Sequence, residues 1–257
     1  MSFWKKNSVQ FALWALLGIC AVVLLGAAIS THRSSTVNDL KINIDYDSGL
    51  FFIKENEIQN KINALMEDSL QNITLRELPV AEIEAVLEEN PFIKNAEVYS
   101  NIAGNLIVKV QQRNPVLRVI NKQGVSFYID DNAQTMPLSP NFTARVPVAT
   151  GNIDLKIEQN DTLQQMKQKQ LFDLIAFIRS EPFWNAQTEQ IYVNENNDFE
   201  LIPKLEDHVF LLGSTENLEA KFRRMNIFYK EVLKNQKSDQ FKIINVKFNN
   251  QIICSKN

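Results

Sequence analysis

Residues 11–29 are nineteen consecutive residues without a charged side chain, and they constrain this chain more than any other feature. A helix of that length spans about 29 Å at 1.5 Å per residue, which matches the hydrocarbon core of a bilayer. Lys5 and Lys6 precede the run, so the positive-inside rule places residues 1–10 in the cytoplasm. We therefore expect a single-pass signal anchor at residues 11–29 and export of everything that follows.

Two alternatives to this topology stay open at this point. Small residues around Ala28 resemble a signal-peptidase site, although the run is longer than the roughly 7–15 residues of a signal-peptide core. Asn-x-Thr triplets begin at Asn72, Asn141 and Asn160, and such triplets accept glycans in eukaryotic secretory proteins. They also arise by chance in an Asn-rich chain, so a eukaryotic type II membrane protein is an outside option.

Composition and charge exclude several classes of function. A net charge of -3 argues against sequence-independent nucleic-acid binding, which requires a clustered cationic excess. The chain has neither a GxGxxG nor a GxxxxGKS/T phosphate-binding loop. Its two histidines, His32 and His208, do not suffice for a histidine-rich metal site, and Cys20 and Cys254 make no disulfide framework. We expect no cofactor, no metal and no small-molecule substrate.

Catalytic motifs are equally scarce. GxSxG is absent, and the SxxK pattern occurs only at residues 2–5, before the apolar run. A Ser-His-Asp triad would have to rest on His208 alone. We therefore predict that the protein is not an enzyme and has no catalytic residues.

The exported part divides at about residue 114. Residues 30–40 are small and polar, as in a flexible linker. Residues 41–114 then show a strand, two helical patterns and the hairpin sequence NPFIKNAEVYSNIAGNLIVKV at residues 90–110, in which Gly104 lies at the turn. This order predicts two helices packed on a three-stranded sheet. Because the hairpin carries no chemistry, we expect it to present a sheet surface to other proteins.

Residues 115–257 predict a larger β-rich domain. Many short strand patterns are bounded by Asn, Asp, Gly or Pro, and helical patterns at 163–180 and 216–233 interrupt them. The fold class is thus α+β, with helices packed on an antiparallel-dominated sheet in this domain. We interpret the cations of the second helix as its solvent-exposed side; they are Lys221, Arg223, Arg224, Lys230 and Lys234.

Several of these motifs together resemble the FtsQ/DivIB family of bacterial division proteins. The first is a step at the end of the second helix, matched by Pro91, Phe92, Ile93, Lys94, Ala96 and Val98. The second is the exit of the hairpin, matched by Arg113, Pro115 and Val116. The third is a strand end containing Asp130, with Asn132 where glycine is usual, and the fourth is the closing segment KIINVKFNNQIICS.

This resemblance implies that residues 41–114 are a POTRA domain and that the protein is a non-enzymatic divisome scaffold. Its implied partners are bitopic division proteins of the FtsB/DivIC and FtsL types, together with other divisome components. The resemblance also implies that the protein is anchored in the inner membrane with most of the chain in the periplasm, and that it is enriched at the division septum. The alternatives are a POTRA-like periplasmic protein of an envelope assembly system and a secreted cell-wall hydrolase.

The resemblance also implies that the partner binds by strand addition to the C-terminal sheet edge, where unpaired backbone groups are available. Lys247 matches a basic position of the family's binding region, Phe248 an aromatic one and Asn250 a small polar one. When the resemblance is set aside, the sequence fits two other interpretations equally well. Lys247 is then an ordinary solvent-exposed charge on an edge strand, and Phe248 is a residue of the core. The candidate partner-binding residues are Ile244, Val246, Lys247, Phe248, Asn250, Ile252 and Cys254.

Overall fold

The predicted N-terminal anchor lies only partly within the described residues. Residues 14–24 are helical with exposed side chains, and the rest of the predicted span lies outside the described residues, as do residues 1–10 and 30–35. Across the described ranges, no helix combines the length and the apolar character needed to cross a bilayer. The computed structural model describes residues 14–24, 36–46, 49–66, 73–155, 166–205, 207–233 and 241–256.

The chain forms two compact units. The first comprises Met1–Asp47 and Ile53–Gln112, and the second comprises Ser48–Phe52 and Arg113–Asn257. The elements of the first unit follow the predicted order: β1 (Leu40–Ile44), α1 (Glu55–Leu65), α2 (Val80–Glu88), β2 (Ile93–Ser100) and β3 (Leu106–Gln112). Strand β3 lies between β1 and β2 in a three-stranded sheet, parallel to β1 and antiparallel to β2.

Helical spacing of apolar residues explains both helices of the first unit. Ile58 and Ile62 of α1 are buried, as are Ile83 and Leu87 of α2, four residues apart in each case. Helix α2 ends before Pro91, because proline disfavours helical geometry in the residue that precedes it. The two helices therefore bury one apolar stripe each in the core of this unit.

The hairpin between β2 and β3 turns at Gly104, as predicted. Its φ of +79° lies in the left-handed region, and a Cβ there would approach Asn38 Nδ2 to 2.9 Å. The same Asn38 amide donates a hydrogen bond of 2.7 Å to the Ala103 carbonyl oxygen, so side chain and turn are held together. The left-handed backbone favours glycine here, and an added Cβ would also displace the Asn38 amide.

The second unit is built on a nine-stranded sheet. Its strands are β4 (Pro115–Ile120), β5 (Ser126–Asp130), β6 (Thr135–Met136), β7 (Val148–Gly151), β8 (Thr188–Val193), β9 (Phe199–Pro203), β10 (Val209–Gly213), β11 (Ile243–Asn245) and β12 (Ile253–Ser255). They lie in the order β12-β11-β10-β9-β8-β7-β4-β5-β6. Five of the eight strand pairs are antiparallel, which confirms the antiparallel-dominated sheet. The helices are α3 (Met166–Ser180), α4 (Pro182–Gln187) and α5 (Leu218–Phe228), with a π-helical turn at Tyr229–Leu233.

Three helices and alternate residues of the sheet enclose one apolar core in this unit. Ile175 of α3, Trp184 of α4 and Met225 of α5 are fully buried in it, together with Leu201 and Ile244 of the sheet. Helices on a predominantly antiparallel sheet define an α+β architecture, as the sequence predicts.

Two of the motif residues pair with each other in the interior. Arg113 Nε donates a hydrogen bond of 2.8 Å to Asp130 Oδ2, and the Asp130 side chain is fully buried. Asp130 Oδ1 accepts bonds from the backbone N–H groups of Asn132 and Gln134, at 3.0 and 2.8 Å. A second guanidinium nitrogen donates to the Thr135 carbonyl at 3.1 Å. These residues therefore hold β4, β5 and β6 together at this end of the sheet.

The left-handed position of the β5–β6 turn is Ala133 rather than Asn132. Ala133 has a φ of +62°, which an L-residue with a Cβ adopts at a cost of about 1–2 kcal/mol. We expect Ala133→Gly to raise the free energy of unfolding by about 0.5–1 kcal/mol, measured by guanidinium unfolding. The matched control is Asn132→Gly, which removes a side chain at a position without positive φ and is expected to destabilise the unit slightly. Equal effects of the two substitutions would contradict the strain at Ala133.

Candidate docking edge

The two ends of the nine-stranded sheet differ in what they present. At one end, β6 is two residues long and both are buried. At the other end, β12 has an exposed, half-buried, exposed pattern, with Ile253 at 44% exposure. An edge strand presents backbone N–H and C=O groups that a further strand can pair with. Among the described strands of this sheet, β12 offers such an edge and β6 does not.

Strand β12 is held in place by a complete ladder on its inner side. It pairs antiparallel with β11, and β11 pairs parallel with β10. Lys242 N–H donates to the Ser255 carbonyl at 3.0 Å, and Val246 N–H donates to the Leu211 carbonyl at 3.1 Å. Because both sides of β11 are engaged in this way, the outer side of β12 is the one that no described strand of this sheet pairs with.

The predicted site residues fall into three groups, two of which pack against the core. Ile244 and Val246 are fully buried in the core, so their side chains are not exposed at the edge. Ile252 and Cys254 are partly buried and pack against the same core. Burial raises the pKa of the Cys254 thiol, which lowers its thiolate fraction at neutral pH.

The remaining three residues lie together in the connection between β11 and β12. Phe248 is 48% exposed, so it lies at the surface and not in the core. Asn250 has a φ of +60°, a conformation that asparagine tolerates better than most residues. The predicted closing strand pair is confirmed, but its strands are shorter than the sequence patterns, because this connection separates them.

Lys247 is fixed by three contacts. Its aliphatic stem crosses Gly213, where a Cβ would come within 3.1 Å of Lys247 Cγ. Its ammonium group pairs with the Asp198 carboxylate, and its backbone N–H donates to Asn245 Oδ1 at 3.0 Å. With its side chain 31% exposed, Lys247 presents a positioned cation beside the edge.

Helix α5 directs two cations inward, Lys221 and Arg224, which sequence reasoning placed on its solvent-exposed side. Arg223 and Lys230 are exposed, as interpreted, whereas Lys234 lies outside the described residues. Lys221 is 5% exposed and its Nζ donates to the Ser214 carbonyl at 2.7 Å, so the solvent-exposed interpretation is wrong for it. Burial is also the main reason that the pKa of Lys221 is lowered. The sequence did contain a signal for this burial, because Lys221 lies three residues after Leu218 and four before Met225, on the apolar stripe of the helix.

Arg224 is the second inward cation of α5. A guanidinium nitrogen donates to the Val246 carbonyl at 2.8 Å, and Arg224 Nε is buried with no hydrogen-bond partner among the described residues. The bond fixes the backbone where the chain leaves β11 for Lys247 and Phe248. No local pattern predicts it, because 22 residues separate the donor from the acceptor.

His208, the residue on which a triad would rest, lies in the core. It is 2% exposed, with Nε2 3.1 Å from the Tyr229 hydroxyl oxygen. Phe210 and Phe228 stack edge-on against its ring at 4.9 and 5.7 Å between centroids. An enclosed imidazole of this kind packs the core and has no access to a substrate.

Two protein-family models match consecutive parts of the chain. A model described as FtsQ/DivIB, C-terminal related, matches residues 114–255, which is more than half of the chain. A POTRA-like domain model matches residues 35–111. No match was found among curated proteins. The region that the first model matches contains every candidate docking residue.

Proposed function

Because this chain belongs to the FtsQ/DivIB family, we propose that it is a non-enzymatic scaffold of the bacterial division machinery. An anchor at residues 11–29 holds it in the inner membrane, and both units lie in the periplasm at the septum. The scaffold links early and late division proteins by accepting a strand at the outer edge of β12. The proposed partner is a bitopic coiled-coil protein of the FtsB/DivIC type, paired with an FtsL-type protein.

The observation that carries this proposal is the contrast between the two ends of the nine-stranded sheet. The β12 end combines an accessible strand with exposed Phe248 and Ile253, whereas the β6 end is short and buried. Added strands gain affinity from backbone hydrogen bonds and specificity from alternate side chains. Covering Phe248 and Ile253 removes apolar surface from water, and Lys247 offers a fixed cation to a partner carboxylate.

Phe248→Asp tests the apolar half of this surface. We expect it to reduce recovery of the FtsB/DivIC-type partner from membranes, with a loss of affinity of about 2 kcal/mol, or roughly 30-fold. Val125→Asp is the matched control, because Val125 is 44% exposed in the β4–β5 connection, far from β12 in strand order. Phe248 is half exposed, so the variant is expected to fold, as thermal unfolding will show.

Lys247→Glu tests the charged half in the same pull-down. It reverses the cation beside the edge and also places a carboxylate against Asp198, so a modest loss of stability is expected with a larger loss of partner recovery. Exposed Lys122 supplies the control, as Lys122→Glu makes the same charge change in the β4–β5 connection. Recovery at the wild-type level with both Phe248→Asp and Lys247→Glu would show that the docking edge is assigned to the wrong place.

A further inference from the structure

The outer edge of β2 in the first unit is occupied by the unit's own side chains. Strand β2 lies at one side of the three-stranded sheet, so the N–H groups that point away from β3 would be available to an added strand. The N–H of Val98 instead donates to Glu84 Oε1 at 2.7 Å, and the N–H of Ala96 donates to Glu88 Oε1 at 3.0 Å. Both carboxylates come from α2.

The match between helix and strand is geometric. Glu84 and Glu88 are four residues apart, which is a rise of about 6.0 Å along an α-helix. Ala96 and Val98 are two residues apart, which is about 6.8 Å along a strand. The order is reversed, with the earlier glutamate bound to the later strand residue, so α2 runs antiparallel to β2 along this edge. One turn of helix therefore places two acceptors opposite two successive outward donors.

These bonds oppose strand addition in two ways. Carboxylate acceptors form charge-assisted hydrogen bonds to backbone N–H groups, and those bonds are stronger than the carbonyl bonds an incoming strand would offer. An incoming strand would also bring its own carbonyl oxygens against two negative charges. The sequence alone led us to expect the hairpin to present a sheet surface, but this side of it is already engaged.

We propose that Glu84 and Glu88 form a carboxylate latch that closes the outer edge of β2 to strand addition, including pairing with a second copy of this chain. The latch prevents strands from adding to this edge of the sheet, whatever binds at β12. It acts as protection against edge-to-edge association, which an uncovered β2 would invite.

The test uses the full-length chain in detergent and compares Glu84→Ala/Glu88→Ala with Glu82→Ala/Glu89→Ala. The control also removes two negative charges, from α2 and its end, at exposed residues that make no bond to β2 among the described residues. Glu89 lies 3.9 Å from Lys61 Nζ, in an exposed ion pair. Hydrogen exchange at the Ala96 and Val98 amides is expected to accelerate about tenfold or more in the first variant only. Sedimentation velocity is expected to show concentration-dependent self-association in the first variant only.

Unchanged exchange at both amides, or an unchanged sedimentation coefficient in the first variant, would overturn the latch. Self-association of the control variant to the same extent would overturn it too, because net charge would then be the cause. Should the double variant fail to fold, Glu84→Ala and Glu88→Ala are measured singly. Glu84→Ala is then expected to accelerate exchange at the Val98 amide, and Glu88→Ala at the Ala96 amide. Acceleration at the wrong amide in either variant contradicts the pairing.

Discussion

Replacing Asp130 with alanine is expected to lower the free energy of unfolding of the second unit by about 3–5 kcal/mol. The Asp130 side chain has no exposed surface, and its oxygens accept bonds from Arg113 and from two backbone N–H groups. Its removal takes the Asp130 carboxylate away from a guanidinium that is 10% exposed. A buried charge that loses its partner costs more than the intact pair contributes.

Guanidinium unfolding followed by the fluorescence of Trp184 measures this effect. The other two tryptophans, Trp4 and Trp14, are replaced by phenylalanine in all variants so that Trp184 alone reports. Asp131→Ala is the control, since the neighbouring carboxylate is exposed and its loss is expected to cost below about 1 kcal/mol. A midpoint for Asp130→Ala equal to that of Asp131→Ala would show that the Arg113–Asp130 pair does not stabilise the fold.

Trp184→Ala is expected to destabilise the same unit by about 3–5 kcal/mol. Trp184 is fully buried, with the rings of Phe210, Phe222 and Tyr229 at centroid distances of 5.8, 5.3 and 5.5 Å. Its indole N–H donates to Asn226 Oδ1 at 3.0 Å. Truncation removes these contacts and leaves a cavity next to β10, the strand that pairs with β11.

Far-UV circular dichroism detects this loss as a fall in Tm of at least about 6 °C. Trp184→Phe separates ring packing from the indole bond and is expected to fall between wild type and alanine. Phe183→Ala is the surface comparison, because Phe183 is 51% exposed and contacts Trp184 from outside. If Trp184→Ala and Phe183→Ala lower the Tm equally, Trp184 is not the centre of this core.

Local sequence patterns located most of the secondary structure because they report local physics. Apolar spacing of three and four residues identified α1, α2 and α5, and Asn90-Pro91 marked the end of α2. The same reasoning misplaced Lys221, because a lysine on an apolar stripe is normally read as solvated, whereas here the Ser214 carbonyl satisfies its ammonium group. The family resemblance put Asn132 where glycine is usual, although the left-handed residue of this turn is Ala133.

The candidate docking surface was likewise predicted only in part. Local patterns and the family resemblance indicated the closing strands, with Lys247 and Phe248 beside them. The burial of Ile244 and Val246, and the bond from Arg224 to the Val246 carbonyl, became visible only in the folded chain. Both depend on which strand neighbours β11 and on how α5 crosses the sheet, and neither is encoded within a short window.

From its sequence alone, this chain specifies an apolar N-terminal run, two successive α+β units and the order of their elements, since hydrophobic period and turn residues act over a few positions. Only the tertiary structure decides which sheet edges are open. Glu84 and Glu88 close β2 while β12 stays accessible, because the satisfaction of a backbone N–H depends on atoms brought to it from elsewhere in the chain.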